Sequence, residues 1–223
     1  MIKLDLHLHS HYSGDATGTP RDIIRFIQKR KLNGLSITDH NTTKGSLEAI
    51  KIKPKNLIVI PGVEVSTREG HLIALNVEET IPPHLPLIET IEIIFDKGGI
   101  PIVPHLFRNL SGIKKDRLLK IKDKIDAIEV YNACSLPTSN LKTAKIAKEL
   151  KLGGVGGSDS HEPRYAGYAY TILDTTDNRV DTIIEEILKR RTWGIGETLP
   201  LSYRKSRMIK SVKQFFQRGF KRI

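Results

Sequence analysis

Short apolar runs alternate along this chain with segments in which apolar residues recur every three or four positions. The apolar runs predict eight β-strands, over residues 3–9, 34–38, 57–60, 71–77, 100–103, 127–131, 153–156 and 169–173. The periodic segments predict helices over 87–97, 137–150 and 180–190, and another that begins at Pro20 with Thr19 as its N-cap. Strands that alternate with helices are typical of βα units around a largely parallel sheet. The sequence therefore predicts an α/β fold of barrel-like architecture.

The composition is that of one globular domain. Of the 223 residues, 39% are apolar and 27% are charged, which is enough apolar material for a sizeable core. No stretch approaches the roughly 20 apolar residues that span a membrane, and the first ten residues, MIKLDLHLHS, lack the basic start of a secretory signal. We therefore expect a cytoplasmic protein without a transmembrane segment.

The positive charge is concentrated at the C-terminal end. The net charge is +11, and the lysines and arginines after Pro200, with no acid among them, contribute +8 of it. Apolar residues from Met208 to Phe220 recur among these cations every three or four positions, which predicts a basic amphipathic C-terminal helix. We divide the chain into a domain over 1–200 and a tail over 201–223. Such a tail can dock on the barrel, bind nucleic acid or another polyanion, or lie on an anionic membrane, and the sequence leaves these alternatives open.

Seven of the eight histidines lie at or just after a predicted strand. His7 and His9 are two residues apart on the first strand, and this spacing places both imidazoles on one face, as chelation of one metal ion requires. Other chemically active side chains follow later strands: Asp15, His40, Glu64, His71, His105, Asp159 and His161. Because the strand ends of an α/β barrel converge on one rim, we expect these residues to meet there.

Such a group of buried imidazoles and carboxylates requires a partner, because an unpaired buried charge is costly. Divalent metal ions supply that partner. Nitrogen and oxygen ligands without a thiolate favour Zn, Mn or Fe over a structural zinc or a calcium site. The residues alone therefore predict a metal centre at the rim.

Five of these motifs, in this order, closely resemble those of the PHP (polymerase and histidinol phosphatase) family of metal-dependent phosphoesterases. They are His7-Leu8-His9-Ser10, Thr38-Asp39-His40-Asn41, Gly62-Val63-Glu64, Pro104-His105 and Gly157-Ser158-Asp159-Ser160-His161. The resemblance covers roughly residues 1–197. It implies a distorted seven-stranded β/α barrel with two or three divalent metal ions at its mouth, to which the basic C-terminal helix is added.

The resemblance also implies which side chains hold each ion. It assigns His7, His9, Glu64 and Asp159 to one ion, Glu64 with His71 and His105 to a second, and Asp15, His40 and His161 to a third. A hydroxide that bridges two ions would then attack the phosphorus. Several family members have a further histidine near the position of Glu129-Val130-Tyr131-Asn132, and His71 could replace it here. Asp39 and Glu129 are expected to orient ligand imidazoles.

Four residues are candidates for work on the substrate itself. Asp159 and His161 are the two candidates for protonating the leaving oxygen. Arg108 and Arg164 follow His105 and His161 by three residues, so both are expected on rim loops. A guanidinium there can bind phosphate through two hydrogen bonds; a solvated loop arginine is the alternative.

The predicted function is metal-dependent hydrolysis of a phosphoester in a phosphorylated metabolite, a nucleotide or a nucleic-acid end. The basic tail favours the last two substrates. One alternative is a catalytically silent barrel that binds metal or nucleic acid. Another is a hydrolase of C–N bonds, since amidohydrolase barrels also begin with a His-x-His strand, but those typically bridge their metals with a lysine, where this chain has Glu64.

Overall fold

The computed structural model describes residues 1–217, apart from the side chains of residues 214 and 215. Its strands are β1 (Ile2–Leu8), β2 (Gly34–Ile37), β3 (Ile58–Val59), β4 (Gly62–Ser66), β5 (His71–Leu75), β6 (Ile100–Val103), β7 (Ala127–Asn132), β8 (Gly153–Gly157), β9 (Ala169–Leu173) and β10 (Thr192–Gly196). Its α-helices are α1 (Pro20–Lys29), α2 (Lys44–Ile52), α3 (Leu87–Asp96), α4 (Lys115–Ile121), α5 (Pro137–Glu149), α6 (Val180–Leu188) and α7 (Leu201–Gln217). The eight predicted strands and four predicted barrel helices are confirmed, with ends that differ by no more than two residues.

All ten strands belong to one curled, mixed sheet. Its order is β3-β2-β1-β9-β8-β7-β6-β5-β4, and β10 pairs with β9 outside this path. Along the path, β5 and β9 run antiparallel to their neighbours, and the other strands share one direction. The expected count of seven strands is therefore wrong. The returning strands β5 and β9, and the additional strand β10, enlarge the sheet.

The two ends of the sheet meet at a single point. Beyond β2, His40 forms an isolated bridge with Glu64 of β4, and the N–H of Asn41 donates to the carbonyl of Glu64 at 2.9 Å. This closure is possible because β3, which lies beside β2, has only two residues. Pro61, which has no N–H to donate to a ladder, separates β3 from β4. Glu64 therefore lies inside a strand of its own and not, as expected, at the end of the third predicted strand.

Apolar residues fill the barrel below the histidines. Leu4, Leu6, Ile73 and Ile102 belong to one buried cluster that also includes Ile183 and Ile187 of α6, so α6 covers the end of the barrel opposite the histidines. Two further clusters lie between the sheet and the outer helices, one under α1 and α2 and the other under α3, α4 and α5. Such burial supplies about 1.5–3 kcal/mol for each large aliphatic side chain.

Helix α7 begins on the barrel surface. Tyr203 is buried in a small cluster with Ala133, Ala169 and Leu199, and the guanidinium of Arg204 donates to the carbonyl of Ser135 at 3.2 Å. The last six residues of the predicted tail helix lie outside the described residues. No helix within residues 1–217 combines the length and the apolar character that a membrane crossing requires.

Candidate metal centre

The nine predicted metal ligands meet at one end of the barrel, where the strands of common direction end. His71 joins them because β5 runs the other way, so its first residue lies at this end. None of the nine side chains is more than 7% exposed. The sequence-based expectation that these residues converge is met.

Glu64 lies at the centre of this group. Its two oxygens have five imidazole nitrogens within 3.5 Å, namely those of His7, His9 and His40 near Oε2 and those of His71 and His105 near Oε1. A carboxylate with imidazoles beside both oxygens can bridge two metal ions.

A β-bulge in β1 aims the first two histidines at Glu64. Leu6 and Leu8 would share a face on a regular strand, but Leu6 packs inside the barrel and Leu8 packs under α1. The pairing of β1 with β2 changes register between Asp5 and Leu8, and a bulge of this kind redirects side chains. His7 and His9 consequently both face the centre, with their Nε2 atoms 3.2 Å apart.

The second half of the group is built around His161, which follows β8. Its Nε2 lies 3.2 Å from Oδ2 of Asp15, and its Nδ1 lies 3.6 Å from Oδ1 of Asp159. Asp159 and His105 have positive φ angles of 50° and 27°. Such backbone strain in side chains other than glycine is concentrated at functional sites.

Burial and neighbouring charges favour, for most of these groups, the protonation state that binds metal, which is an ionised carboxylate or a neutral imidazole. Burial would raise the pKa of Glu64, but the surrounding imidazoles, His71 first among them, hold that pKa well below its usual value. Burial and the charge of Arg108 lower the pKa of His105 to about 4. Burial likewise lowers the pKa values of His9, His71 and His161. These four imidazoles are therefore neutral at pH 7, as metal ligation requires.

Several buried polar atoms at the centre lack a protein hydrogen bond of good geometry. Within residues 1–217, the buried atoms without a hydrogen bond include Asp15 Oδ1, His40 Nδ1, Glu64 Oε2, Asp159 Oδ1 and His161 Nε2. Buried polar atoms are rarely left unsatisfied because each costs about 1–3 kcal/mol. All five belong to predicted metal ligands, so the residues present fit bound cations.

The structure does not divide the nine residues as the resemblance implied. Four triads have ligand atoms within 4.8 Å of one another: His9-His40-His161, His7-His105-Asp159, His7-His9-Glu64 and His40-Glu64-His71. The third triad lies inside the expected first ion's ligand set. His40, however, is near Glu64 and His71 as well as near the expected partners Asp15 and His161. The assignment of residues to separate ions stays a prediction.

Two buried carboxylates outside the ligand set position the imidazoles. Oε1 of Glu129 lies 2.9 Å from Nδ1 of His7, and its Oε2 accepts the backbone N–H of His105 at 2.8 Å. Asp39 acts through Ser13, whose hydroxyl donates to Asp39 at 2.7 Å and lies 3.1 Å from Nδ1 of His9. The expected orienting contacts thus exist, although Ser13 was not foreseen as the link to Asp39.

The two predicted phosphate-binding arginines have different surroundings. Arg108 is half-buried, and its guanidinium pairs with Oδ2 of Asp159. Arg164 has a side chain that is 62% exposed, pairs with Glu162 at 2.7 Å, and lies beside the ring of Tyr165. Arg108 therefore lies against the metal centre, whereas the described contacts of Arg164 are with its own loop.

Helix α7 contributes residues that sequence reasoning missed. Arg207 donates to Oδ2 of Asp15 at 3.0 Å and to its carbonyl at 3.1 Å, and Lys210 donates to that carbonyl at 2.8 Å. The hydroxyl of Tyr203 accepts the N–H of His161 at 3.3 Å. The contacts with Asp15 join residues 192 and 195 positions apart, and the contact with His161 joins residues 42 positions apart, so no local motif indicates them.

Fold and site together define a curled α/β barrel whose mouth is built from histidines and carboxylates suited to metal ions. Comparison with known proteins agrees. A model of the PHP domain matches residues 5–134, and a model of the PHP-associated region matches residues 137–192. This chain belongs to the PHP family, as the motifs indicated.

Individual proteins show the same relationship. An uncharacterized protein of Methanocaldococcus jannaschii is 35% identical over 162 residues, which are 67% of this chain and 94% of that protein. The 5′-3′ exoribonuclease Rnm of Escherichia coli is 36% identical over 85 residues, which are 35% of this chain and 29% of Rnm.

A solved structure has the same fold. It is a two-domain protein of Bacteroides vulgatus containing a predicted PHP-like metal-dependent phosphoesterase. It superposes with a TM-score of 0.75 at 17% identity, over 88% of this chain and 65% of the other.

Proposed function

We propose that this protein is a metal-dependent hydrolase of phosphoesters. The observation that carries the proposal is the set of five buried ligand atoms that form no protein hydrogen bond, in the group centred on Glu64. A purely structural polar cluster would satisfy such atoms internally. Divalent ions satisfy them, and membership of the PHP family makes phosphoester hydrolysis the chemistry that fits best.

The nine residues from His7 to His161 described above would hold two or three ions of Mn, Zn or Fe, with Glu64 between two of them. When bound, such ions stabilise charge on the phosphate oxygens and make water nucleophilic near neutral pH. Glu129 and Asp39 keep the imidazoles of His7 and His9 in place for this task.

The remaining residues act on the substrate. Arg108, at the edge of the centre, binds a phosphate oxygen that approaches Asp159. Burial would raise the pKa of Asp159, but Arg108 and His7 hold it well below its usual value, so Asp159 stays ionised and does not donate a proton. His161 is therefore the proposed proton-transfer group, and since its imidazole is neutral at pH 7, it would take up a proton from the attacking water before it gives one to the leaving oxygen. Arg164 would contact phosphate only in a substrate long enough to reach the loop that carries Arg164.

The proposed substrate is a nucleotide or the end of a nucleic acid, with phosphorylated metabolites as the second class. The similarity to Rnm, an exoribonuclease, and the +8 charge of the tail support this order. We keep the division into a barrel over 1–200 and a basic tail over 201–223, since both family models end before the tail.

The test is hydrolysis by metal-stripped protein that has been refilled with Mn, Zn or Fe. The substrates are nitrophenyl phosphate, its bis-ester, histidinol phosphate, nucleotides and short single-stranded DNA and RNA. We expect metal-restored hydrolysis, and a loss of at least about a hundredfold in His9→Ala and Asp159→Ala, the size of effect that loss of a metal ligand or its support produces.

His84→Ala is the matched control, because the His84 side chain is exposed on a loop and, within residues 1–217, only the backbone of His84 forms hydrogen bonds. It should retain full activity. Silence with every metal, in protein that binds the ions, would favour the non-catalytic binding module. Full activity in His9→Ala would contradict the assignment of the centre.

A further inference from the structure

Helix α7 places two permanent cations at the mouth of the centre. Arg207 and Lys210 are one helical turn apart and both donate to Asp15, a predicted metal ligand. Arg207 is largely buried, with 15% of its side chain exposed. The buried side chain of Tyr203 already holds α7 on the barrel, so the contacts of Arg207 and Lys210 with Asp15 are not needed to attach the helix.

Both cations keep unused hydrogen-bond donors. Nε of Arg207 is buried and has no hydrogen-bond partner, and the ammonium of Lys210 has three donors, of which the structure uses one. An unsatisfied buried guanidinium nitrogen is costly. The donors therefore suit an anion that enters the mouth beside Asp15.

Arg108 provides a second cationic position on the other side of His161. Arg108 contacts the carboxylate next to Nδ1 of His161, and Arg207 contacts the carboxylate next to Nε2. The two guanidinium groups thus flank one imidazole. Arg108 and Arg207 each pair with a carboxylate, whereas Lys210 donates to a carbonyl, so the positive charge of Lys210 and the free donors beside it stay available for an anion.

We propose that Arg207 and Lys210 bind a second phosphate of the substrate, adjacent to the phosphate that is hydrolysed. The preferred substrate then carries consecutive phosphates along a sugar backbone, as at an oligonucleotide end, and a mononucleotide leaves the α7 position empty. This inference rests on the proposed function for the identity of the first phosphate, but the binding site at α7 can be measured separately.

The first measurement is binding without catalysis. A fluorescein-labelled, 5′-phosphorylated hexathymidylate is titrated in EDTA with wild-type protein, with Arg207→Gln/Lys210→Gln, and with Lys205→Gln/Lys213→Gln as the matched control. Lys205 and Lys213 are exposed on the same helix, so the control removes the same charge. We expect the first double variant to bind about tenfold or more weakly, since charged hydrogen bonds to phosphate are worth about that much each, and the control to change by about threefold or less.

The second measurement is hydrolysis by the Mn-refilled proteins. The KM for the 5′-phosphorylated oligonucleotide should rise in Arg207→Gln/Lys210→Gln by at least about tenfold more than the KM for thymidine 5′-monophosphate. Circular dichroism establishes that each variant is folded, and Arg207→Lys, which keeps the charge, should recover part of the affinity.

Equal losses of oligonucleotide affinity in the two double variants would overturn the proposal. They would show that the affinity depends on the total positive charge of the helix and not on Arg207 and Lys210 in particular. Failure of the wild type to bind the oligonucleotide would overturn it as well. If the wild type hydrolyses no phosphoester but the binding difference persists, the proposed function fails and the α7 phosphate site stands. If hydrolysis is found and the double variants bind alike, the proposed function stands and the α7 site fails.

Discussion

At the residue scale, the centre depends on one carboxylate whose two oxygens differ: Oε1 of Glu64 lies 2.9 Å from ring nitrogens of both His71 and His105, whereas Oε2 has no hydrogen bond. Glu64 is 1% exposed and has five imidazole nitrogens around it, yet its Oε2 has no hydrogen bond. An ionised, buried carboxylate in this position is stable only if cations or protonated imidazoles compensate its desolvation. Nearby carboxylates, against the effect of burial, raise the pKa values of His7 and His40, whereas burial lowers those of His9, His71 and His105. The last three imidazoles do not supply charge to Glu64, and bound metal ions would.

Asp5 is another buried carboxylate, and its role is structural. It is fully buried and accepts three backbone N–H groups, those of His7, Ser158 and Gly167, at 3.3, 2.9 and 2.7 Å. Burial raises the pKa of Asp5 to about 7 even though these three donors stabilise the carboxylate. Asp5 thereby connects β1 to the loop that carries Asp159.

Replacing Asp5 by alanine should destabilise the fold strongly. Three buried N–H groups would lose their acceptor, and we expect the free energy of unfolding to fall by about 3 kcal/mol or more. Urea denaturation followed by circular dichroism measures the change. Asp123→Ala is the control, because the Asp123 side chain is 87% exposed, and it should change stability by less than about 0.5 kcal/mol. Similar losses in both variants would contradict the role given to Asp5.

The identities of the centre's residues were predictable from sequence, whereas several of their partners were not. His7, Glu64 and Asp159 stand in motifs at strand ends, where spacing alone indicates convergence. The link from Asp39 through Ser13, and the contact of Arg207 with Asp15, depend on packing between distant segments. Local sequence carries no signal for such contacts.

At the element scale, β8 shows why glycine is required beside the centre. The strand reads Gly-Gly-Val-Gly-Gly, and a Cβ added at Gly157 would lie 2.2 Å from Cβ of His7. Such a distance is far below any normal contact, so β1 or β8 would have to shift. The glycine lets the two strands approach closely enough for His7 to reach Glu64.

Gly157→Ala should therefore impair the centre more than it impairs the fold. A displacement of about 1 Å at a reacting group can cost about a hundredfold in rate, and we expect a loss of that order in metal-dependent hydrolysis. Gly153→Ala, in the same strand, meets its nearest neighbour at 3.0 Å and lies at the other end of β8. It should retain most activity. Equal activity in the two variants would show that the approach of β8 to His7 is unimportant.

The elements that sequence reasoning missed have weak local signals. Helix α2 has no side-chain N-cap hydrogen bond, and α4 has seven residues with two buried. Strand β10 contains two glycines among its five residues, a composition that β-propensity disfavours. Strand β4 follows β3 so closely that the two read as one run. The bulges in β1 and β7 are tertiary features and leave no mark in the apolar pattern.

At the scale of the whole molecule, the apolar residues that stabilise the barrel and the polar residues of the metal centre lie at opposite ends. Apolar side chains and α6 fill and close one end, while polar groups from segments far apart in the sequence meet at the other end. The common direction of most strands makes this possible, because side chains at the same ends of parallel strands converge. The fold was predictable to this level from the alternation of strands and helices. The two strands that sequence reasoning missed, β4 and β10, were not predictable, because β4 continues the apolar run of β3 and β10 is rich in glycine.

We propose that these polar groups hold two or three divalent ions around Glu64. The most direct test is to count the bound metal ions. Metal-stripped wild type, Glu64→Gln and the His84→Ala control are dialysed against Mn, and bound metal per chain is measured by mass spectrometry. We expect two or three ions in the wild type and the control, and at least one fewer in Glu64→Gln, which keeps the shape of the side chain but loses its charge. Less than one ion per wild-type chain, or an unchanged count in Glu64→Gln, would contradict it.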